Sequence, residues 1–560
     1  MSRFIVVADS HIRLPDDGGA EYPSNALLAD RNRWVVALCN RLRPDFVIHL
    51  GDVVHPLPTE PGHEQAVALA AGIYEELEAP IHFVPGNHDI GDKPDSLVAV
   101  PAVADAHYEV FERYWGRPFG SFDHGDGHFV LVDTPVLGSG LEREQALREW
   151  LERDLEAAAA KRVFVFTHYP PFVTEAEEAE HYDNLAPEPR GWLLGLCRRY
   201  GVEAVFSGHV HNHLVNRHEG TDFHVLPATG FVRPDYSETA AIAPERESGR
   251  NEPAKLGIYV VELGDADHRV RPVRTFGAVA GTGPIDPEVL AGGGWACPVG
   301  VTFRHGWAAL HDLPAEGLDE FRRKTVRDDY SLLALREARI DRVRIPVGDV
   351  LAEPGRRRVA GLAAQGIRFT VFSAGAPDPA TRAAIEALAG LIERWEVILP
   401  PEQWDLLPAG SPVPVAAAPI VPIGGPDHHF VAHGFDPGDP LPDLPCEEMV
   451  FRADWPDPIA PAFAGAAASA ASAGKQAVVV VRSPRAAEAE VFDDDDAVAA
   501  WAVAAVRAAR QHPGVEVFLD TFMDHDRGYY RRHGLIDRRS DPRPALYALI
   551  EASAGRPDGS

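Results

Sequence analysis

Unbroken apolar runs, rather than alternating ones, punctuate the first half of the chain: Phe4 to Ala8, Phe46 to Leu50, Ile81 to Val84, Val163 to Phe166 and Ala204 to Phe206. Runs of this kind are buried on both faces, as in strands of a parallel sheet covered by helices. The stretches 25–43, 64–77, 142–161 and 187–200 carry helical patterning and lie between them, giving the strand–helix rhythm of an α/β fold. Another strand-like run, 128–132, precedes the third of these runs of helix. Phe223 to Leu226 and Gly257 to Leu263 read as late antiparallel strands.

Each of the five runs ends in a short polar block. In order these are Asp9-Ser10-His11, Gly51-Asp52-Val53-Val54-His55, Gly86-Asn87-His88-Asp89, Thr167-His168-Tyr169 and Gly208-His209-Val210-His211. Parallel α/β sheets bind ligands just beyond the carboxyl ends of their strands, so blocks far apart in sequence are expected to converge on one rim. Their donors are carboxylate, amide and imidazole, with no thiolate. That set suits Mn, Fe, Zn or Co, and there are enough donors for two ions. Two ions about 3.5–4 Å apart clamp the attacking and leaving oxygens of a displacement at phosphorus. Holding like charges so close needs a bridging carboxylate, and Asp52 is the candidate.

With these blocks the chain resembles the calcineurin-like metallophosphoesterase family, whose series is D-x-H, G-D-x-x, G-N-H-[DE], a mid-chain His and G-H-x-H. The resemblance covers about residues 1–275. It implies a two-layered β-sandwich flanked by helices and a binuclear centre in which Asp9, His11 and His211 hold one metal, Asn87, His168 and His209 hold the other, and Asp52 bridges. It further implies that metal-bound hydroxide attacks phosphorus while His88 acts as general acid, with Asp89 orienting the His88 ring through its other nitrogen. His55 departs from the second Asp that many members carry at that position.

Other polar residues near the blocks have plainer readings. His49 and His82 read as core or rim histidines, His213 as a loop histidine within reach of substrate, and Asp133-Thr134 as a turn at the end of its strand. Two insertions, Val173 to Pro189 with its His181-Tyr182-Asp183-Asn184, and the polar stretch Arg233 to Lys255, are expected to shape the substrate mouth. His181 and Tyr182 are candidates to face substrate.

The chain of 560 residues exceeds what one hydrophobic core usually supports. The expected division is a phosphoesterase domain over 1–276, an aperiodic Gly-rich linker over 277–294, and a second domain over 295–560. The second domain has about eight apolar runs: Val299 to Phe303, Arg342 to Val347, Phe369 to Phe372, Trp395 to Leu399, Val413 to Val421, His429 to Ala432, Ala477 to Val481 and Val515 to Leu519. Helical segments such as 380–394 and 497–510 fall between several of them, which suits a (β/α)8 TIM barrel. Locally, Arg342 to Val347 and the closing run Gly534 to Ala545 resemble glycoside hydrolase barrels. Those enzymes need two carboxylates across the barrel mouth. Here the fourth run ends in Leu399-Pro400-Pro401-Glu402, the seventh in Arg482-Ser483-Pro484, and only Asp520 and Asp524 offer acids at the eighth. The barrel is therefore expected to be catalytically degenerate. The acidic stretch Asp493 to Asp496 reads as a helix start or solvated loop, and Ala464 to Gly474 as a flexible surface connection.

Composition narrows the partners. Net charge is −31, and a negative field opposes the phosphate backbone of long DNA or RNA, although two divalent ions invert it locally. No run of about 18 apolar residues and no signal-peptide pattern occurs, so neither a membrane span nor export is expected. Cys39, Cys197, Cys297 and Cys446 are scattered and read as buried thiols in a reducing cytoplasm. The expectation is a cytoplasmic phosphoesterase acting on a small phosphorylated substrate, monoester or diester. The alternatives are a nuclease of the same fold, or a bifunctional or scaffold protein whose barrel binds a carbohydrate or a partner. Oligomeric state and metal identity are not readable from the sequence.

Overall fold

The computed structural model describes residues 2–14, 22–95, 97, 100–233, 236, 247–316, 319–423, 430–454, 457–482, 494–524 and 533–555. Two units divide the chain: Met1–Gly292 with Ala309–Leu333, and Gly293–Ala308 with Ala334–Ser560. Residues 309–333, which the sequence pattern places in the second domain, cluster with the first unit. The Gly-rich stretch expected to be a linker contains the short helix Pro287–Ala291, capped by Asp286.

The first unit is a sandwich of two sheets. One has the order His268–Arg274, Gly257–Leu263, Ser2–Val7, Phe46–His49, Ile81–Phe83. The other runs Gly120–His124, Gly127–Val132, Arg162–Thr167, Ala204–Ser207, Thr221–Val225, Leu214–His218. The strands carrying the five blocks are thus split between two sheets; the second has a parallel centre and antiparallel edges, whereas the first is antiparallel on the His268–Arg274 side and parallel through to its other edge, Ile81–Phe83. Gly257–Leu263 is antiparallel to Ser2–Val7, as expected. Thr221–Val225 instead has a parallel neighbour in Ala204–Ser207 and an antiparallel one in Leu214–His218.

The strands read as continuous apolar runs because both faces are covered. Between the sheets lies a core that includes Phe4, Phe46, Phe129, Phe164, Phe166 and Phe206. Phe4 stacks on Phe46 at 5.1 Å between ring centroids and meets Phe129 edge-on at 5.4 Å, geometries that add to simple burial. Outside the first sheet, Leu28–Leu42 contributes Ala29 and Val36, and His63–Tyr74 contributes Ala66, Val67 and Ala70, to one apolar cluster. Outside the second, Leu147 and Leu151 of Glu142–Ala157 meet Leu193 and Leu196 of Pro187–Tyr200. The four cysteines are buried and unbridged, and burial pushes the Cys39 and Cys197 thiols up to about 12.

The second unit contains a closed barrel of eight parallel strands: Gly300–Thr302, Arg342–Pro346, Arg368–Ala374, Ile392–Leu399, Val415–Ile423, Glu448–Asp454, Gln476–Arg482 and Val515–Asp520. The sixth strand differs from the sequence reading. Phe430–His433 is an antiparallel strand appended to Val415–Ile423, and Glu448–Asp454 closes the barrel instead. Only Met449-Val450-Phe451 is continuously apolar before Arg452-Ala453-Asp454 alternates with charge, so the strand offers too short a run to stand out in a search for continuous apolar runs. The helix expected over 380–394 is Pro379–Ala387, and Ile392 to Arg394 already belong to the fourth strand. Ala464 to Gly474 is not a loose connection: Ile459–Ser472 is a helix that buries Phe463, Ala466 and Ala470. Alanine is the best helix former, and here its repetition signals helix rather than low complexity. Asp494 caps the helix Asp495–Gln511, as the acidic stretch suggests; Asp493 lies outside the described residues, as do His429, Ser483 and Pro484.

Candidate metal centre

Five of the residues expected to bind metal have left-handed backbone: Asp9 (φ 54°), His11 (45°), Asp52 (52°), His209 (67°) and His211 (54°). This region is costly for residues with a Cβ and persists where surrounding structure enforces it. Here a ladder of main-chain bonds does so: Asp9 N–H to Gly51 O (3.1 Å), His11 N–H to Asp52 O (2.9 Å) and Ile12 N–H to Val53 O (2.9 Å). Two glycines let the loops touch. A Cβ on Gly51 would lie 2.5 Å from Gly86 N, and one on Gly86 would lie 2.2 Å from Asp52 N. The glycines of the second and third blocks are thus demanded by mutual approach.

Two donor groups result. Asp9, His11, Asp52 and His211 form one and Asp52, His168 and His209 the other, each with donor atoms within 4.8 Å of one another. Asn87 joins the second: its Oδ1 is 2.9 Å from His168 Nε2 and 3.0 Å from His209 Nδ1. Asp52 belongs to both. Its Oδ2 is 3.4 Å from His11 Nε2 and its Oδ1 is 3.3 Å from His168 Nε2. All seven side chains are buried.

The tautomers test whether cations fit. His211 Nδ1–H donates to Phe231 O (2.8 Å) and His168 Nδ1–H to Leu50 O (2.8 Å), so each presents the lone pair of Nε2 inward. His211 Nε2 then lies 3.0 Å from His11 Nε2, and His168 Nε2 lies 3.2 Å from His209 Nδ1. Buried lone pairs that converge this way, beside carboxylates, call for a cation between them. Burial first, and neighbouring imidazoles second, hold His11 and His209 well below the ordinary histidine range, which keeps them neutral donors. His168 goes the other way. Burial opposes its charge, but Asp52, Asp9 and the Leu50 carbonyl outweigh burial and raise it to about 9, so this nitrogen attracts a proton wherever a metal does not take its place.

His88 stands at the edge of the cluster, half-buried. Its main-chain N–H donates to Asp52 Oδ1 (2.8 Å), its ring lies 4.6 Å from that of His11, and its Nδ1 is bonded to the carbonyl of His55. Asp89 does not hold that ring, as the sequence reading expected. Its two oxygens accept from Val53 N–H (3.0 Å) and Gly86 N–H (2.8 Å), which pins the two loops together. The Asp89 carboxyl is pushed up to about 7 by burial and by the Asp52 charge. His55 Nδ1 is 3.3 Å from His11 Nδ1, so the departure from Asp places a third imidazole at this edge.

The remaining candidates separate cleanly. His49 is in the core, bonded to Ser10 Oγ (2.8 Å) and accepting from Gly51 N–H. His82 stacks on Phe122 at 4.0 Å. His213 is in a loop but buried against Tyr259 rather than solvated. Asp133 accepts from Tyr108 O–H (2.7 Å), and Thr134 Oγ1 accepts from Tyr169 N–H (2.9 Å), so this turn supports the block that follows His168. Within the 173–189 insertion His181 turns toward Glu178 (3.4 Å), whereas Tyr182 O–H lies 3.4 Å from Asn87 Nδ2 with its ring 4.9 Å from that of His209. Most of the 233–255 insertion lies outside the described residues.

Asp183, which nothing in the sequence distinguishes from the rest of its insertion, also reaches the centre. Fully buried, its Oδ1 lies 3.8 Å from His209 Nε2, and it accepts from Arg233, from Tyr236 O–H (2.9 Å) and from Lys324 Nζ (2.6 Å). Lys324 comes from a hairpin, His311–Glu316 with Asp319–Val326, whose Leu313 and Val326 pack with Val173, Val210 and Leu214. The run Asp319-Glu320-Phe321-Arg322-Arg323-Lys324 offers no apolar pattern that points to this docking.

Comparison with known proteins agrees with the geometry. Residues 2–213 match the family described as calcineurin-like phosphoesterase. The serine/threonine-protein phosphatase CPPED1 of Danio rerio is 32% identical over 225 residues, covering 38% of this chain and 69% of that protein. CPPED1 of Mus musculus is 28% identical over 225 residues, covering 38% and 68%. The glycerophosphodiester phosphodiesterase GpdQ of Enterobacter lignolyticus is 28% identical over 207 residues, covering 35% and 68%. No helix among the described residues is long and apolar enough to cross a membrane. With its ordered series of blocks folded onto one double cluster of donors, the chain belongs to the calcineurin-like phosphoesterase family.

Proposed function

We propose that the first unit hydrolyses a small-molecule phosphodiester or phosphomonoester at a centre of two divalent ions. The observation that carries this reading is the position of Asp52, whose two oxygens face one imidazole of each donor group. Asp9, His11 and His211 would hold one ion, Asn87, His168 and His209 the other, with Asp52 shared. Bound there, the ions supply Lewis acidity at the phosphoryl oxygens and lower the pKa of water so that a nucleophile is available near neutral pH.

The chain's own residues complete the reading. With Nδ1 bonded to the His55 carbonyl, His88 is left with Nε2 as the atom from which it would protonate a leaving alkoxide. Asp89 holds the His88 and Asp52 loops in register rather than taking part in proton transfer. Tyr182 and Phe231, the latter 4.8 Å from His11 and 4.5 Å from His211 between ring centroids, form walls that would orient substrate. Arg250 covers the Phe231 ring at 3.3 Å and brings positive charge to that side, which favours an anionic substrate.

The relatives include a serine/threonine-protein phosphatase and a glycerophosphodiester phosphodiesterase, so both ester classes belong in the test. The net charge of −31 favours small substrates over long nucleic acid. The barrel we read as non-catalytic. Asp520 is engaged by Arg304, Asp524 by Arg543 (2.9 Å), and Glu402 is exposed, so the acids at its strand ends are paired or solvated. The deciding experiment is a screen of metal-reconstituted protein with mono-aryl and bis-aryl phosphates, followed by cyclic nucleotides, glycerophosphodiesters and sugar phosphates. Metal-dependent release of product from an aryl phosphate is expected, and no turnover with any tested ion would sink the reading.

A further inference from the structure

A second cluster of metal-type donors lies at the other end of the sandwich. Asp222 and His224 sit two apart on Thr221–Val225, on the face turned toward the opposite sheet, and His268 opens the edge strand His268–Arg274 of that sheet. Their donor atoms lie within 4.8 Å of one another. Register places them away from the centre described above. Asp222 is level with Ala204, the first residue of a strand whose far end leads into Gly208 and His209. His268 is level with Leu263, which is level with Ser2 at the start of the first strand. Asp222 and His268 are therefore at the amino ends of the strands, with His224 level with Phe206 and further along, and the Asp52 centre is at the carboxyl ends.

The ring of His268 is oriented as a ligand would be. Its Nδ1–H donates to Glu203 Oε1 (2.8 Å), so its Nε2 presents a lone pair, and that nitrogen is 3.7 Å from Asp222 Oδ2. A carboxylate behind an imidazole fixes its tautomer and strengthens it as a donor. The charges around the cluster are balanced, and the Asp222 oxygen nearest His268 is Oδ2. Arg217 takes the other Asp222 oxygen, and Arg162 is held by both oxygens of Glu203 (2.8 and 2.6 Å). His224 completes the set. Its ring is packed against Phe206 at 5.1 Å and stands 5.9 Å from, and perpendicular to, that of His268. Two imidazoles and one carboxylate, with no thiolate, make a three-ligand set for a zinc-type divalent ion with a water in the fourth place.

We propose that Asp222, His224 and His268 bind one divalent transition-metal ion of the zinc class, separate from the phosphoesterase centre, and that this ion ties the two sheets together at their amino ends. Ligands contributed by both sheets make the ion a cross-link, so its loss loosens the edge strand without removing a residue of the Asp52 centre.

The test uses the full-length protein, stripped with a chelator, reloaded with zinc and desalted, with zinc counted by elemental analysis. Wild type should hold one equivalent more than His268→Gln and one more than Asp222→Asn. Both variants should keep their aryl phosphate hydrolysis within about twofold. Asp52→Asn should retain the zinc that His268→Gln loses, which separates this site from the proposed catalytic one. With cobalt in place of zinc, the wild-type spectrum minus that of His268→Gln should show the visible bands of a low-coordinate Co(II) ion. Equal zinc content in wild type and His268→Gln, with no cobalt difference spectrum, would overturn the proposal and leave Asp222 and His268 as an ordinary ion pair. Asp222→Asn keeps the shape of the side chain and His268 lies at the sheet edge, so a folded variant is available on either side of the site.

Discussion

Lys324 Nζ lies 2.6 Å from Asp183 Oδ2, and neither side chain has any exposed surface. The pair joins a hairpin of the 309–333 segment to the insertion that follows His168, across 141 residues of sequence. Asp183 in turn faces His209 from 3.8 Å. Lys324 is one of two buried cations that hold the Asp183 carboxylate, the other being Arg233, so Lys324→Met should destabilise the first unit by about 2 kcal/mol, the size of a lost hydrogen bond to a charged group. In urea unfolding, Lys324→Met combined with Asp183→Asn should cost clearly less than the sum of the two single changes. Strict additivity would show that the pair does not hold the hairpin in place.

Asp52→Asn should abolish most phosphoesterase activity and lower the metal content of the reloaded protein, because the one carboxylate that faces both donor groups loses its charge. Elemental analysis and aryl phosphate turnover, measured on one preparation, check both halves. Wild-type turnover with two ions still bound at the centre would refute the bridging role.

His88→Ala should retain metal yet lose roughly 10²- to 10⁴-fold in rate on substrates with poor leaving groups. The loss should shrink for nitrophenyl esters, whose leaving group needs no proton. Equal losses for both would mean that His88 does not protonate the leaving oxygen. Asp89→Asn should act differently, by loosening the loops through its bonds to Val53 and Gly86, and should lower metal retention along with rate.

Glu178 gives a stability signature in acid. Burial opposes its charge, but His181, Asn184 and the Thr174 N–H outweigh burial and bring it from the ordinary 4.5 down to about 2. A carboxylate depressed on folding contributes stability that is fully present above pH 4.5 and lost as pH falls toward 2. The shift corresponds to about 3 kcal/mol at neutral pH. Glu178→Gln should therefore be less stable than wild type at pH 7, and the gap should narrow as pH falls below 4.5 and close only below about pH 2. A gap independent of pH in chemical denaturation would show that the loss is steric rather than electrostatic.

The barrel should release no sugar from aryl glycosides, since Asp520 is tied to Arg304 and Asp524 to Arg543. Glycoside cleavage that disappears when Glu402, Asp520 and Asp524 are replaced together by alanine would make the protein bifunctional.

What the sequence determined by itself is local and chemical. The apolar runs announce strands covered on both faces, and the blocks at their ends announce a metal centre, because Gly51, Gly86 and the strained positions such as Asp9 and Asp52 admit few other residues. The donor set leaves this mark on sequence: each donor is confined to a strand end and to a residue type. The barrel was legible in outline for the same reason, as recurring apolar runs, and failed at Glu448–Asp454, where one face of the strand is polar. Tertiary structure alone decided which residues from distant segments meet. Nothing local in Asp319 to Lys324 says that Lys324 will be buried against Asp183, and nothing in Asp89 says that it will bond to two main-chain N–H groups instead of the His88 ring. Such pairings depend on the relative placement of whole elements, which is set by the sum of many weak packing terms and leaves no periodicity behind. The Asp222, His224 and His268 cluster is of the same kind: three unremarkable polar residues on two strands, brought together only because two sheets pack face to face.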